Sequence, residues 1–426
     1  MKIQKILKRL LQLHPKSVDL SLNRIKRLLK DLNDPQKKII NAIQVVGTNG
    51  KHSVCSALRE IFETSGYIVN MNISPSLRKF NERYYLAGKY ISDYDLQELL
   101  LEVEKINQNK SITFHEFICA CFFLAASRNR SDVNILEAGL FFRLDASNVL
   151  EKNLASVIMP IGIDHKDFLK EGSIDEIVYE KCSHLLKNSK IIIAEQKKDV
   201  LIKIKKNISI NTSKKIIFGE NYNYKKNNNG FNYEDELGQI NLPTPNLSGD
   251  FQISNISTAI ATARQLRNFK ISDSHIKKAV TRIRSEGRLQ SITKGKLRKY
   301  VSKENQILID GAHNTLAATV IEKHLKKLNS GKKIIMILGM MANKEHEKFI
   351  HIFKNRVHSI IALDIPNQTN FIAKEKLSKI ANSCGIPSKT ENSIELALKS
   401  AAKEHDDAII FCTGSLYFAS EILGSN

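Results

Sequence analysis

Short apolar runs alternate with helical patterns between residues 42 and 201. The runs are rich in Ile and Val, and apolar residues at i, i+3 and i+4 spacing follow each of them. This alternation predicts a sheet of parallel strands that is covered by helices on both faces. The predicted strands are Ile43–Val46, Ile68–Asn72, Val133–Glu137, Val157–Ile161 and Ile191–Ala194.

The pattern changes after residue 203 and restarts near residue 306. Residues 203–242 are rich in Lys, Asn and Tyr and predict a small β excursion, and helices are predicted over Gln252–Phe269 and Asp273–Arg284. The later strands are Gln306–Asp310, Lys333–Leu338, Ser359–Leu363 and Ala408–Cys412. We therefore predict an α/β protein with two domains, residues 1–290 and a smaller, Rossmann-like domain at residues 291–426.

The first 31 residues are basic and carry Leu and Ile at helical spacing on both sides of Pro15. A transit peptide or a membrane-surface helix has this composition. Asp19 and Asp31 interrupt the positive run, however, and no small-residue cleavage site follows an apolar core. We therefore predict two amphipathic helices packed on the first domain of a cytoplasmic protein without a membrane partner.

The formal charge of +21 over 426 residues suits either nucleic acid or an acidic small-molecule substrate. The lysines are spread along the whole chain, and no RNA-binding aromatic motif or helix-turn-helix pattern accompanies them. We therefore expect no nucleic-acid partner. The six cysteines form no C-x-x-C pair, which argues against a zinc site or a disulfide framework and predicts buried, reduced thiols.

A glycine-bracketed loop that ends in lysine follows the first predicted strand: Gly47-Thr48-Asn49-Gly50-Lys51-His52-Ser53. Glycines permit a tight turn whose N–H groups face an anion, the lysine adds a positive charge, and a hydroxyl can reach Mg²⁺. The strict P-loop pattern is not met, because His52 separates Lys51 from the hydroxyl of Ser53. An ordinary Gly-Asn turn is the alternative. With a strand before it and a helix after it, the loop predicts phosphate binding.

Polar residues also follow other predicted strands, where doubly wound sheets bind their ligands. Glu137 is a candidate Mg²⁺ ligand, with a strand-end salt bridge as the alternative. Asp164 and His165 suit Mg²⁺ or Mn²⁺, or the orientation of a phosphate-bound water, with a capping Asp and a buried His as the alternative. Lys181 looks like an ordinary helix lysine by composition.

The first strand of the second domain leads into Asp310-Gly311-Ala312-His313-Asn314, directly before a helix. A phosphate or carboxylate ligand is expected at this position, and glycine permits its close approach. A tight turn with Asn314 as the helix N-cap is the alternative.

Further short motifs accompany these segments in a fixed order. They are Asn23-Arg24-Ile25, Asp34-Pro35-Gln36, Ser74-Pro75-Ser76-Leu77, Phe80-Asn81-Glu82-Arg83, Leu136-Glu137-Ala138-Gly139, Arg143-Leu144-Asp145-Ala146-Ser147-Asn148-Val149, Gly162-Ile163-Asp164-His165, Glu180-Lys181, Gly249-Asp250-Phe251-Gln252 with Asn255, Gly287-Arg288-Leu289, Gly339-Met340-Met341-Ala342-Asn343-Lys344 and Thr413-Gly414-Ser415-Leu416-Tyr417. With the two loops above, they resemble the folylpolyglutamate synthase/dihydrofolate synthase family of the Mur-ligase superfamily. The resemblance covers most of the chain.

The resemblance implies a P-loop, Mur-ligase-like ATP-binding domain followed by a glutamate-ligase domain. In the family, a substrate carboxylate takes the γ-phosphoryl group of ATP to become an acyl phosphate, and the amine of glutamate then displaces phosphate. The implied partners are ATP, L-glutamate and dihydropteroate or a reduced folate, and we expect a monomer.

The resemblance also assigns site residues. It implies that Lys51, Lys181 and His165 are catalytic and that Lys181 matches a lysine that is carbamylated in many superfamily members. The implied metal ligands for one or two Mg²⁺ ions are Ser74, Glu137 and His165. The implied ATP contacts outside the glycine loop are Asn255, Arg288, Asp310 and His313, and the implied substrate contacts are Arg83, Arg143, Asp145 and Asp164.

The chain departs from the family pattern at several positions. His52 stands where glycine is usual, Phe141-Phe142 where Gly-Gly is usual, Ser76 where His is common, and Thr315 where Pro is common. We expect the two phenylalanines to stiffen or reshape the loop that lines the pterin pocket. The alternatives are a Mur-type ligase for another carboxylate and a degenerate paralogue that binds nucleotide or RNA without ligation.

Overall fold

The structure is a computed structural model that describes residues 2–16, 18–328 and 331–426. The chain divides into two compact units. The first holds the chain up to Asn246 together with Gln252–Arg284, and the second holds Leu247–Phe251 together with Ser285–Asn426. The sequence predicted one boundary, at residue 290. Leu247–Phe251 differs from that prediction because Phe251 packs against the apolar core of the second unit.

Within the described residues, the first unit contains an eight-stranded sheet in the order β4-β3-β2-β5-β1-β6-β7-β8. Its strands are β1 (Ala42–Val46), β2 (Val69–Asn72), β3 (Tyr84–Leu86), β4 (Lys89–Tyr90), β5 (Val133–Glu137), β6 (Ala155–Ile158), β7 (Lys190–Ile193) and β8 (Lys214–Ile217). Six neighbouring strands run parallel to one another: β2, β5, β1, β6, β7 and β8. At one side of the sheet, β3 pairs antiparallel with β2, and β4 pairs antiparallel with β3. Every residue of β1, β2, β5 and β6 is buried, as expected for a sheet covered on both faces.

Helices of the first unit connect and cover these strands. They are α1 (Lys2–Leu10), α2 (Asn23–Asp31), α3 (Lys51–Thr64), α4 (Asp93–Asn107), α5 (Phe114–Arg128), α6 (Ile174–Cys182), α7 (Lys198–Asn207), α8 (Asp250–Gln265), whose first two residues belong to the second unit, and α9 (Asp273–Val280), with short 3-10 turns at Pro35–Lys38, Phe80–Arg83 and Lys166–Phe168. The prediction of two packed N-terminal helices is confirmed, because Ile6, Leu10, Ile25, Leu28 and Leu29 are buried in one apolar cluster with α4 and α5. None of the helices within the described residues is both long enough and apolar enough to cross a membrane.

The predicted β excursion is correct in its second half and wrong in its first. Residues 222–243 form a three-stranded antiparallel sheet of β9 (Tyr222–Asn227), β10 (Gly230–Asp235) and β11 (Gly238–Pro243). Residues 198–207, however, form α7, and 214–217 form the edge strand β8 of the main sheet. Val200 and Ile204 of α7 lie four residues apart and are both buried, so a narrow apolar stripe supports this lysine-rich helix.

The second unit is built around a six-stranded sheet in the order β12-β13-β17-β14-β15-β16, counted over the described residues. The strands are β12 (Gln290–Ser291), β13 (Gln306–Ile309), β14 (Ile334–Leu338), β15 (Ser359–Ala362), β16 (Ser388–Thr390) and β17 (Ile409–Thr413). The helices are α10 (Thr315–Lys327), α11 (His346–Ile352), α12 (Lys374–Ser383), α13 (Ile394–Glu404) and α14 (Leu416–Ser425), with a 3-10 turn at Lys296–Tyr300. All strand pairs except β12–β13 are parallel, which confirms the predicted second α/β domain.

Candidate active site

The glycine loop runs from the carboxyl end of β1 into the first turn of α3, as predicted. The N–H groups of Thr48 and Asn49 both donate to the carbonyl of Pro160, at 2.9 and 3.3 Å. Thr48 Oγ1 also contacts the carbonyl oxygen and the amide nitrogen of Gly162 at 3.1 Å. The start of the loop is therefore fixed to the segment after β6, and α3 presents its N-terminus at the end of the loop.

Both glycines of the loop are required by close packing. Gly47 has φ +150°, and a Cβ there would lie 2.6 Å from Met159 Cβ. Gly50 has φ +82°, and a Cβ there would lie 2.6 Å from Asn255 Oδ1. Asn255, for which the resemblance implies a contact with the adenine of ATP, thus lies on α8 directly against the glycine loop. Its contact with a base stays a prediction.

Two lysines converge on the loop from different helices. Lys51 Nζ donates to the carbonyls of Gly47 and Thr48 at 3.2 and 3.3 Å. Lys181 Nζ, from α6, donates to the same Gly47 carbonyl at 3.0 Å and to the Leu140 carbonyl at 2.7 Å. The side chain of Lys181 is only 3% exposed, so it is no ordinary surface lysine.

The environment of Lys181 disfavours its positive charge. Burial, together with the neighbouring charge of Lys51, lowers the pKa of Lys181 from 10.5 to about 7, against a weaker opposing effect of Asp164. The ring of Phe141 lies 5.3 Å from Nζ. Lys181 therefore carries a large neutral, nucleophilic fraction near physiological pH.

The predicted metal ligands Ser74 and Glu137 lie together. Glu137, the last residue of β5, is 4% exposed, and its Oε2 accepts the N–H of Ser74 at 3.2 Å. Arg83 Nη1 in turn donates to Ser74 Oγ at 3.2 Å, so a predicted substrate residue joins the pair. A buried carboxylate and a hydroxyl are oxygen donors of the kind that Mg²⁺ binds. The residues present therefore fit a magnesium ion.

Asp164 and His165 follow β6 at the same edge of the sheet. Asp164 Oδ1 accepts the N–H of His165 at 2.9 Å, and Asp164 Oδ2 lies 3.7 Å from His165 Nε2. His165 has a left-handed backbone at φ +56°, which is uncommon outside glycine, and its side chain is 31% exposed. The imidazole of His165 is therefore partly accessible to solvent.

The loop after β5 is anchored on α6. Arg143 forms a bidentate ion pair with Glu180, with its Nη2 and Nε atoms at 2.8 and 3.0 Å from Oε1, and lies against the ring of Tyr179. The backbone N–H groups of Phe142 and Arg143 donate to the Glu180 carbonyl. Phe141 and Phe142 are both buried, at 1% and 0% exposure. The two phenylalanines thus fill the space between the loop and α6, next to Lys181.

Asp145 fixes the same loop from the inside. Its carboxylate accepts the N–H of Gly139 at 3.0 Å and the N–H and hydroxyl of Ser147 at 2.9 and 2.6 Å. His115 Nε2 lies 3.4 Å from Asp145 Oδ2 and 3.8 Å from Cys119 Sγ. Burial raises the pKa of Asp145, but His115 and Ser147 outweigh it and hold that pKa below its usual value. Contact of Asp145 with substrate stays a prediction.

Sequence reasoning missed His115 and Glu180 as partners of the site. His115 is on α5, thirty residues before Asp145 in the chain, and no motif marks it. Burial opposes its charge, yet Cys119 and Asp145 raise the pKa of His115 well above the ordinary value. Glu180 and Arg143 lie close together because α6 packs against the loop after β5. Their spacing along the chain does not reveal this contact.

In the second unit, Arg288, Asp310 and His313 are held by adjoining turns. Asp310 Oδ2 accepts the N–H of Leu289, and its Oδ1 accepts the N–H of Ala312, both at 2.8 Å. Burial raises the pKa of Asp310, and the charge of Arg288 partly offsets this. His313 Nδ1 donates to the Gly311 carbonyl at 2.9 Å, so Nδ1 carries a proton.

The alternative interpretation of residues 310–314, a tight turn with Asn314 as the helix N-cap, also agrees with the structure. Asn314 Oδ1 accepts the N–H of Ala317 at 2.9 Å and caps α10. Gly311 is required at the turn because a Cβ there would lie 2.4 Å from Leu416 Cδ2. The segment is thus a capped strand-to-helix turn that holds Asp310 and His313 at the strand end.

Two family models match the chain. The Mur ligase middle domain matches residues 45–263, and the C-terminal domain of dihydrofolate synthetase matches residues 293–425. Together with the glycine loop and the two α/β units, these matches define the protein as an ATP-dependent ligase of the Mur type.

Relatives narrow the class. The dihydrofolate synthase/folylpolyglutamate synthase of Buchnera aphidicola subsp. Acyrthosiphon pisum is 30% identical over 389 residues, which cover 89% of this chain and 88% of the relative. The enzyme of the same name from Bacillus subtilis is 28% identical, and the match covers 94% of each chain. The chain belongs to the dihydrofolate synthase/folylpolyglutamate synthase family.

Solved structures share the fold. Escherichia coli FolC in complex with DHPP and ADP has a TM-score of 0.87 at 23% identity and matches 99% of this chain and 96% of that chain. The bifunctional folylpolyglutamate synthase/dihydrofolate synthase from Yersinia pestis, complexed with AMPPNP and a Mn ion, has a TM-score of 0.87 at 22% identity and matches 99% and 97%.

Proposed function

We propose that this protein joins L-glutamate to dihydropteroate, to a reduced folate, or to both, at the expense of ATP. One observation carries the proposal: the amines of Lys51 and Lys181 meet at the Gly47 carbonyl of the phosphate loop. A substrate carboxylate oxygen attacks the γ-phosphorus of ATP, and ADP leaves. The amine of glutamate then attacks the acyl carbon of the acyl phosphate, and inorganic phosphate leaves. Family membership supports this pair of steps.

The chain's own residues contribute positioning and charge. Lys51 and the N-terminus of α3 stabilise the phosphates of ATP. The ion pair of Arg143 and Glu180 fixes the loop after β5, which we expect to contact the dihydropteroate or folate substrate. A Mg²⁺ ion held by Ser74 and Glu137 would neutralise charge on the transferred group. His165 is the candidate ligand for a second ion. In the second unit, Arg288 and Asp310 are candidate contacts for the phosphates and ribose.

Lys181 is the candidate for a covalent change. Its neutral amine would add to the carbon of CO₂, with loss of one proton, and form a carbamate whose oxygens can bind a metal ion. The lowered pKa and the burial of Lys181 support this assignment. A ¹³C NMR spectrum in ¹³C-bicarbonate, with Mg-ADP present, should show a carbamate resonance that is absent in Lys181→Met. Absence of the resonance from the parent protein would contradict the carbamate.

The main experiment measures phosphate release by purified protein with Mg-ATP and L-glutamate. Dihydropteroate, tetrahydrofolate and no acceptor are compared, and the product mass is determined. Release coupled to the mass gain of one glutamate establishes the ligase and identifies its acceptor. Lys187→Ala, an exposed lysine close to α6, is the matched control and should retain activity. Intact ATP binding without acceptor-dependent release would refute the proposal and favour another carboxylate or a degenerate paralogue.

A further inference from the structure

A cluster of two histidines and a glutamate lies in the second unit. It is found where the parallel strands begin, whereas Asp310 lies where they end. His358 immediately precedes β15, Glu404 is the last residue of α13, and His405 follows it. One ligand atom from each residue lies within 4.8 Å of the others. Among the residues that the structure describes, no other three His, Cys, Asp or Glu side chains meet this spacing.

The chemistry of this donor set differs from that of the Ser74 and Glu137 pair. Imidazole and carboxylate together suit Zn²⁺ and its neighbours Co²⁺ and Ni²⁺, whereas Mg²⁺ prefers oxygen ligands. We propose that His358, Glu404 and His405 form a second metal site, which binds one Zn²⁺-class ion and leaves a coordination position to water. The site is separate from the ligase reaction.

The ligands are held by rigid elements. The N–H of His358 donates to the Ile334 carbonyl at 2.8 Å, and Asn305 Nδ2 donates to the His405 carbonyl at 2.9 Å. The two imidazole rings lie edge to face with centroids 4.8 Å apart, and His358 Nε2 is 4.0 Å from Glu404 Oε1. The backbones of His358 and His405 are therefore fixed, and the three donor atoms are already within 4.8 Å of one another. Small rotations of the side chains would bring them to one ion.

The carboxylate of Glu404 is oriented by two neighbouring side chains. The hydroxyl of Ser359 donates to Glu404 Oε1, and Lys389 Nζ lies 2.9 Å from Oε2. Ser359 thus acts as an outer partner of a ligand, of the kind that orients carboxylates at metal sites.

Lys389 is the competitor of the ion. Its ammonium group neutralises Glu404, and its side chain is 46% exposed, so it can swing into water when a cation arrives. Removal of this charge in Lys389→Met should therefore strengthen metal binding. A cluster that served only as a surface ion pair would not gain metal affinity from that change.

The test is a titration of the tag-free full-length protein with Co²⁺, followed by competition with Zn²⁺. Excess Mg²⁺ in the buffer occupies oxygen-ligand sites such as that at Glu137. We expect visible Co²⁺ absorption bands that saturate at one equivalent and disappear when Zn²⁺ is added. Zn²⁺ should also raise the melting temperature, because an ion that binds the native state stabilises it.

Variants locate the site. The His358→Ala/His405→Ala double variant should lose the Co²⁺ bands, and Ser359→Ala should weaken binding about 10-fold or more. His351→Ala removes an exposed histidine of α11 in the same unit and should bind metal like the parent. Circular dichroism and melting without metal confirm that each variant is folded. The proposal is overturned if the parent shows no saturable bands, if the double variant keeps them, or if His351→Ala weakens binding equally.

Discussion

The replacement Lys181→Met should make the first unit more stable at neutral pH while the reaction is lost. Methionine fills a similar volume without an amine that must be desolvated. In the parent, the folded state holds Lys181 with a pKa of about 7, against 10.5 in the unfolded chain. Between these values the unfolded state binds more protons than the folded state. The stability of the parent therefore rises with pH across this window, and the variant lacks that term.

The size of the effect follows from the shift. Each unit of pKa difference corresponds to about 1.4 kcal/mol, so the advantage of Lys181→Met should shrink by about 1.4 kcal/mol per pH unit above pH 7. The advantage should be largest near pH 7 and disappear towards pH 10.5. With a pKa of about 7, the neutral and protonated forms of Lys181 are comparable in amount near neutral pH, whereas an ordinary lysine is almost wholly protonated there.

The assay is denaturant unfolding of parent and variant from pH 7 to 9.5 in CO₂-depleted buffer. The difference between the two free energies of unfolding cancels the other titrating groups, which both proteins share. Lys187→Met, on the surface, provides the control and should follow the parent at every pH. Parallel curves for the parent and Lys181→Met would show that Lys181 titrates as an ordinary lysine. The argument for its nucleophilic amine would then fail as well.

Three further predictions concern the site. Lys51→Ala should lower the rate of acceptor-dependent phosphate release by about 100-fold or more, because a cation on the transferred phosphate is lost, and near-normal release would contradict its role. Gly50→Ala and Gly66→Ala both force alanine into a positive φ, which should lower the free energy of unfolding by about 1 kcal/mol in each variant. Only the alanine at position 50 also clashes with a neighbouring residue. A fluorescent ATP analogue should therefore bind Gly50→Ala more weakly than the parent and bind Gly66→Ala as well as the parent. His115→Phe removes the cation beside buried Asp145 and should lower stability by about 1–3 kcal/mol and raise KM for the acceptor but not for ATP; equal changes in both KM values would refute a local role.

The strands could be predicted from the sequence because buried parallel strands produce apolar runs. The prediction for Val133–Glu137 agrees with β5 at both ends. It was wrong for Val157–Ile161, where β6 spans Ala155–Ile158. Pro160 has no N–H to continue the ladder, and the Ile161 N–H donates to Gln196 instead of a strand. Hydrophobicity alone does not reveal this end of a strand.

The site could be predicted only in part, for a related reason. Residues that follow strands, such as Glu137 and Asp310, lie at sheet edges by the topology alone. The environment of Lys181 depends instead on contacts with Gly47 and Leu140, which are distant in the chain. Likewise His115 reaches Asp145 only because α5 packs beside the loop after β5. Contacts of this kind require the tertiary structure.

The two phenylalanines argue against a degenerate protein rather than for one. Phe142 is buried in an apolar cluster with Ile177 and Val178 of α6, so the loop and the helix are joined by packing. Phe141 is buried as well, and its ring lies 5.3 Å from the amine of Lys181. Exclusion of water is the largest cause of the lowered pKa of Lys181. The departure from the family pattern is therefore accommodated by packing, and the amine on which the proposed carbamate depends stays buried.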